Sequence, residues 1–420
     1  MRKISVVILL LVTFGMAFAS DPTATNYTYI ECEGSLTPYP AEIYPAVFPD
    51  SLKPVFINHV GRHGARFPAS AANCLKLKDA LNRADSAGTI TPVGRQLKKL
   101  NDYIISISEG QWGALDSLGM AEQRAIATRM FYNFGEIFVN NASVSAISSY
   151  SPRAMMSMYS FIHQLDRMDN RINFSTLSGR VNSALLRPFD TNPEYLEFRQ
   201  QKLWEPPYTE YFEKFCPTSA IRRALGERYP FADEAEERDL AITEYYVVAG
   251  CSAMSVNAGA STYFTREEYN RLWSCFNLRQ YLQRTASTVS FVPAEIATDL
   301  LQDLISTTDD FISGSAPEVA RLRFGHAETL MPLLSLLRLK GCYYMTNYFD
   351  TVALHWRDFY VVPMSANLQM ILFRSSTGRF YLRVDLNEQP VPLIPNNSSL
   401  YLPWSEARNF LTALLPLIAQ

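Results

Sequence analysis

The chain lacks most of the features that would assign it a chemistry at once. Lysine and arginine total 38 against 41 aspartates and glutamates, a formal net charge of −3, so no positive excess recommends a nucleic-acid partner. Any polyanionic ligand has to be met by a local cationic pocket within a mildly acidic protein. Cysteine is sparse and scattered: Cys32, Cys74, Cys216, Cys251, Cys275 and Cys342 include no Cys-x-x-Cys pair. That spacing argues against a metal site and leaves disulfide pairing open. No internal repeat or low-complexity tract occurs, and beyond the first twenty residues no apolar run is long enough to span a bilayer. What remains is an ordinary globular composition, 48% hydrophobic and 19% charged over 420 residues, enough for two domains or for one domain with a large insertion.

The first residues read as an export signal. Arg2 and Lys3 give the positive start, Ile4 to Phe14 the apolar centre, and Ala17-Phe18-Ala19 a small-x-small cleavage site. The absence of cysteine at that site argues against a lipid anchor. A signal peptide over residues 1–19 therefore implies a mature protein that is exported, periplasmic or secreted, with no membrane span.

The segment with the most chemistry is Val55-Phe56-Ile57-Asn58-His59-Val60-Gly61-Arg62-His63-Gly64-Ala65-Arg66-Phe67-Pro68. It opens as an apolar run, the pattern of a buried strand, and breaks at glycine to deliver two arginines around a histidine. Guanidinium groups offer forked donors that match a phosphate dianion, and the imidazole between them is placed to attack phosphorus. A second strand expected over Val144 to Tyr150 ends at Ser151-Pro152-Arg153, and a third over Val319 to Phe324 runs into Gly325-His326-Ala327-Glu328. Open α/β sheets bind ligands at the carboxyl ends of their strands, so strand ends that deliver arginines form a coherent site.

Around these strands the spacing predicts helices over Ala71–Ala87, from Thr91-Pro92 through Ile107, from Gly113 through Phe134, over Met155–Leu165, Thr329–Leu339 and Trp404 to about Leu415. Met370–Arg374 and Phe380–Val384 read as a hairpin, and Asp21 to Pro49 as an extended lead-in. Between about 186 and 310 aromatic and charged residues mix at helical periods and strand-like alternation is scarce. The expected organisation is an α/β core from 20–185 and 311–420, with a mainly helical cap inserted over 186–310.

The string Arg62-His63-Gly64-Ala65-Arg66-Phe67-Pro68 resembles the Arg-His-Gly-x-Arg-x-Pro signature of the histidine acid phosphatases. Most of that family carries His-Asp at its second mark; the His326-Ala327-Glu328 found here is similar to the multiple inositol polyphosphate phosphatase branch. Tyr150-Ser151-Pro152-Arg153 with Ser157 resembles the family's third phosphate-binding segment, and Leu115 to Gly119 loosely its Leu-Thr-x-x-Gly segment. The resemblance implies a phosphoglycerate-mutase-like α/β sheet flanked by helices. It implies a phosphohistidine mechanism in which His63 is nucleophile, Arg62, Arg66 and Arg153 clamp the phosphoryl group, His326 donates to it, and Glu328 protonates the leaving oxygen. No cofactor and no metal is called for. Glu328 has to be protonated to act as an acid, so activity is expected to favour acidic to neutral pH.

Two further residues are candidates for substrate contact. His59 lies four residues before His63, hence on the same side of an extended strand, although a supporting role is as well founded. Arg187, in Leu186-Arg187-Pro188-Phe189-Asp190, resembles a segment of the inositol-phosphate branch and is a candidate for a second phosphate. Arg199, Lys202, Arg222 and Arg223 read by default as solvated cations, one or two of which could line the cleft, and His163 and His355 as structural. The expected function is hydrolysis of inositol polyphosphates such as phytate. One alternative is a broad-specificity phosphatase acting on sugar phosphates or bisphosphoglycerate, to be told apart by whether the cleft holds cations beyond three arginines. Another is a phosphate-binding protein without turnover.

Overall fold

The computed structural model describes residues 25–43 and 45–416, so the signal peptide read over 1–19 lies outside the described residues. The apolar run before the Arg-His-Gly string is strand β1, Leu52–Arg62, buried over most of its length. It sits in the middle of a mixed sheet because both of its faces are covered, which is why it reads as a continuous apolar run and not an alternating one. The other strands are β2 (Ser143–Ser148), β3 (Asn173–Ser178), β4 (Glu318–Gly325), β5 (Asn367–Ser375), β6 (Phe380–Leu386), β7 (Gln389–Val391) and β8 (Leu402–Pro403). Their order is β3-β2-β4-β1-β5-β6-β7, with β8 paired to β6. β1, β2, β3 and β4 run parallel, β5 runs antiparallel to β1, and β6 runs antiparallel to β5.

Side-chain alternation along β1 divides the core. Ile57 and His59 face the helices Ser117–Asn133 and Pro152–Met168, where Phe161, Phe324 and Ile371 pack. Phe56, Asn58 and Val60 face the other side, and Asn58 donates there to Leu304 O at 3.1 Å and Thr308 Oγ1 at 2.9 Å in the helix Thr298–Ser313. Asn58 Oδ1 accepts from the buried Arg323, which also meets Asp303 at 2.6 Å, so the polar groups under the sheet are paired with one another.

Most expected elements form where local signals are strong. Thr91 caps the helix Pro92–Ser108 by accepting from Gly94 N, and Asp116 caps Ser117–Asn133 by accepting from Leu118 N, which moves that helix start past Gly113. The helix expected from Thr329 begins at Ala327, so Pro332 falls in its interior instead of its first turn. The hairpin strands are longer than their apolar centres. The lead-in is not simply extended: Glu31–Leu36 forms a 3-10 turn with Cys32, Glu33, Gly34 and Ser35 buried. β3 is not expected from the sequence, because an exposed edge strand carries little apolar pattern. Residues 183–313 form helices and contribute no strand. The six cysteines are buried free thiols.

One buried group in this helical stretch has a measurable consequence. Glu244, in the helix Glu234–Ala249 that packs on Ala72–Ser86, is fully buried, and among the described residues neither of its carboxylate oxygens has a hydrogen-bond partner. Burial pushes its pKa from 4.5 up to about 8 despite the charge of Arg223. A carboxyl that binds its proton more tightly when folded favours the fold fully below its unfolded pKa, and that contribution is lost as pH rises toward 8. Thermal melts of Glu244→Met should therefore lack a loss of stability that the wild type shows between about pH 5 and 8. The difference should reach a few kcal/mol, since each tenfold change in proton affinity is worth about 1.4 kcal/mol; superimposable pH profiles would refute it.

Candidate active site

Register brings the two sequence marks together. Arg62 pairs with Gly325 across β1 and β4, so the chain leaves both strands at the same level. His63 N donates to Gly325 O at 3.1 Å, and the His63 and His326 rings lie 5.5 Å apart. His63 Nδ1 is 3.0 Å from Gly64 O. A carbonyl only accepts, so Nδ1 carries the ring proton and Nε2 keeps its lone pair. Burial and the charges of Arg62, Arg153 and Arg66 hold the His63 pKa well below its ordinary value. The ring is a neutral base with a free nitrogen, which a nucleophile requires.

The guanidinium groups around it are short of partners. Arg62 Nη1 donates to Ser35 O and Val362 O, both at 2.6 Å, and Arg66 Nη1 donates to Phe67 O at 2.8 Å. Arg153 stands in the first turn of the helix Pro152–Met168, with Nη2 3.5 Å from His326 Nδ1. The Nε atoms of Arg62, Arg66 and Arg153 are all buried with no acceptor among the described residues. Burial takes Arg62 down to about 10, and burial with the repulsion of Arg153 and Arg62 takes Arg66 down to about 9. Buried charged donors without acceptors are costly, and an anion lying between them would relieve both the repulsion and the unmet hydrogen bonds.

His326 Nε2 lies 2.8 Å from Arg187 Nη1 and 2.9 Å from Ser149 Oγ. Both ring nitrogens face arginine donors, and the contact of Nε2 with Arg187 is the shorter, so Nε2 accepts and the ring proton sits on Nδ1, which then makes no hydrogen bond with Arg153 3.5 Å away. Burial and the charges of Arg153 and Arg187 bring the His326 pKa to about 3, against the opposing pull of Glu328. Arg187 is thus drawn into the site, tied to Asp190 at 2.6 Å and stacked on Tyr150 and Phe189. Glu328 occupies the second position of the helix Ala327–Leu336, where the helix dipole favours a negative charge. Burial pushes its pKa up, but Arg284, His326 and Arg62 outweigh that and hold it at about 2. In the free protein Glu328 is therefore a carboxylate even at mildly acidic pH, contrary to the protonated state expected from its role.

Arg62, His63, Arg66, Arg153 and Glu328 line one cleft of about 310 Å³. His59 does not reach it. The period of two holds only within the strand, and β1 ends at Arg62, so His59 and His63 do not share a side. Its ring instead packs 5.2 Å from Phe161 and 5.3 Å from Phe324, and burial drives its pKa down to about 3. Arg222 pairs with Glu237, Arg223 with Glu268 and Lys202 with Glu205, and these cations, with Arg199, lie off the cleft wall. His355 stacks on Tyr344.

The turn itself is held mainly by residues that the sequence did not single out. Glu122 accepts from Ala65 N at 2.8 Å, Tyr39 N at 2.7 Å and Ser365 Oγ at 2.8 Å, and Gln123 donates to Arg62 O at 3.0 Å. Ser157, one helical turn beyond Arg153, accepts from Gly64 N at 3.1 Å, so its hydroxyl holds the turn as well. The one visible trace of this packing is Gly119. A Cβ there would lie 2.2 Å from Ala65 O, and one on Gly64 would lie 2.4 Å from Gly119 O.

A sheet that brings a bare imidazole nitrogen, three under-bonded guanidiniums and a carboxylate to its strand ends is the apparatus of a phosphohydrolase working through histidine. Residues 55–387 match the histidine phosphatase superfamily (branch 2), and the chain belongs to that family and is a phosphoric monoester hydrolase. It is 22% identical over 424 residues to multiple inositol polyphosphate phosphatase 1 of Gallus gallus, covering 95% of this chain and 91% of the relative. To the Homo sapiens protein of the same name it is 23% identical over 384 residues, covering 83% and 77%. The fold is shared with the Bifidobacterium longum multiple inositol polyphosphate phosphatase solved with inositol hexasulfate, at TM-score 0.74 and 17% identity over 93% of this chain and 99% of that one. It is shared also with the phytase from D. castellii, at TM-score 0.71 and 18% identity over 97% and 90%.

The glycine contact gives a test remote from the chemistry. Gly119→Ala forces the helix Ser117–Asn133 away from the turn that carries His63, and overpacking of this kind costs roughly 1–3 kcal/mol. Thermal melts should show that loss, and phosphate release should fall with it although no cleft residue has changed. A variant as stable and as active as the wild type would show that the turn tolerates displacement.

Proposed function

We propose that the chain hydrolyses phosphomonoesters of inositol polyphosphates, phytate among them, through a phosphohistidine at His63. The observation that carries the reading is the ring of unpartnered Arg62, Arg66 and Arg153 Nε donors around the bare Nε2 of His63. In the first step Nε2 bonds to phosphorus in line with the ester oxygen, which leaves with a proton from Glu328. The arginines and His326 take up the charge on the other phosphoryl oxygens. In the second step the Glu328 carboxylate takes a proton from water, the water oxygen bonds to phosphorus, and the P–N bond breaks to free inorganic phosphate. A bound phosphate dianion offsets the cations that keep Glu328 ionised, which raises its proton affinity at the moment an acid is needed.

The inositol polyphosphate substrate class is supported by the names of the curated relatives and by the inositol hexasulfate bound in the B. longum structure. Export rests on the pattern of residues 1–19, and the division into core and inserted cap on the run of helices between β3 and β4. One observation favours a second reading, a phosphatase of broader specificity. Away from the clamp the cleft is lined by Leu36, Ile104, Tyr246, Val247, Phe276 and Gln280, and among the described residues no lysine or arginine lines it beyond the three of the clamp. Further cations, Arg187 and Arg284, stand behind His326 and Glu328.

Purified mature protein should release phosphate from phytate faster than from a small aryl phosphate, with EDTA present and without. His63→Ala should lose on the order of 10³-fold or more of that rate. A strong preference for the aryl phosphate would select the broader reading, and no release from any phosphomonoester would leave a binding protein. Because the leaving oxygen needs a proton from Glu328, kcat should fall as pH rises toward the alkaline range.

A further inference from the structure

The proton donor is not held by its own helix alone. Arg284 is the last residue of the helix Arg266–Arg284, within the helical stretch between β3 and β4. Its Nη2 lies 3.5 Å from Glu328 Oε1, and its Nε is buried without an acceptor among the described residues. The opposite edge of the guanidinium is fixed: Nη1 donates to Tyr195 Oη at 2.6 Å, and Tyr195 in turn donates to Gln283 O at 2.9 Å. Tyr195 is fully buried, so this strut is set by packing. The side chains of Arg284 and Glu328 are 13% and 34% exposed, the carboxylate turning its open part to the cleft that Arg62, His63 and Arg66 line.

We propose that Arg284, braced by Tyr195, is a positioning residue that holds the Glu328 carboxylate at the leaving-group side of the cleft and sets when it gives up and takes back its proton. The inference rests on the reading of Glu328 as proton donor and adds the group that governs it. Among the described residues, every charged group facing Glu328 is a cation or a histidine: Arg62, Arg66 and His63 from the β1 turn, Arg153 from the helix Pro152–Met168, with His326 and Arg187 behind it. Those groups also meet the phosphoryl oxygens or hold one another, so substrate neutralises them. Arg284 engages the carboxylate from the opposite element and is the largest charge contribution holding it ionised. It is therefore the group whose pull persists when the clamp is filled, and it keeps the carboxylate able to shed its proton and serve as base in the second step.

The test compares pH profiles of kcat for Arg284→Gln, Tyr195→Phe and Arg284→Lys on two substrates. One is 4-nitrophenyl phosphate, whose leaving group needs no proton; the other is glycerol 2-phosphate, whose leaving alkoxide does. Removing the positive charge should move the basic limb for the alkyl ester up by about one pH unit. The basic limb for the aryl ester should move little, and Arg284→Lys should restore most of the wild-type profile. Tyr195→Phe should move the limb the same way by less. Equal losses on both esters with an unmoved profile would reduce Arg284 to a structural part and overturn the proposal, and so would a raised KM with kcat and profile unchanged. Glu328→Gln separates the two readings: if it cleaves the alkyl ester as fast as the wild type, Glu328 is not the donor, whatever Arg284 does.

Discussion

Positive charge confined around a neutral imidazole is the constraint that the rest of this structure answers to. Arg62, Arg66 and Arg153 repel one another, and buried charges of one sign stay together only if the backbone gives them no alternative. The parallel pairing of β1 with β4 and of β4 with β2 removes that alternative by fixing three strand ends at one level. Carbonyls of Ser35 and Val362 then hold one edge of Arg62, so the guanidinium cannot swing out to water. The same pressure keeps His63 and His326 neutral, which is the state that a nucleophile and a hydrogen-bonding partner need.

The turn that carries His63 is held from several distant parts of the chain. Glu122 gathers Tyr39, Ala65 and Ser365 on one carboxylate, and Ser157 reaches Gly64 from the helix that presents Arg153. Glycine at 64 and 119 lets two backbones approach more closely than any Cβ allows. His63 and Arg153, proposed as nucleophile and clamp, are thereby placed by one connected set of hydrogen bonds, and backbone geometry more than side-chain choice decides where they stand.

Glu328 shows how two opposing influences are resolved. Burial alone would protonate it, yet the surrounding cations keep it ionised. A group poised in this way changes its proton affinity when an anion enters the cleft. In the proposed mechanism the proton donor is thus coupled to occupancy of the site, with Arg284 reaching Glu328 from the helix Arg266–Arg284.

Much of this was legible in the sequence where the signal is local. Apolar runs mark β1, β4 and the hairpin strands, caps such as Thr91 and Asp116 mark helix starts, and the Arg-His-Gly-Ala-Arg and His-Ala-Glu strings place the reactive groups at strand ends. Family and fold class follow from those strings because they are contiguous. Strand β3, the Glu31–Leu36 turn, the start of the helix at Ala327 and the burial of His59 were decided by tertiary structure. An exposed edge strand leaves no apolar pattern, and the alternation that would have aimed His59 stops with the strand at Arg62. Above all, the partners of the reactive groups lie far from them along the chain. Glu122, Gln123, Arg284 and Ser365 look like ordinary polar residues in one dimension, and only the packing of helices onto the sheet brings their donors and acceptors within reach of the His63 turn and of Glu328.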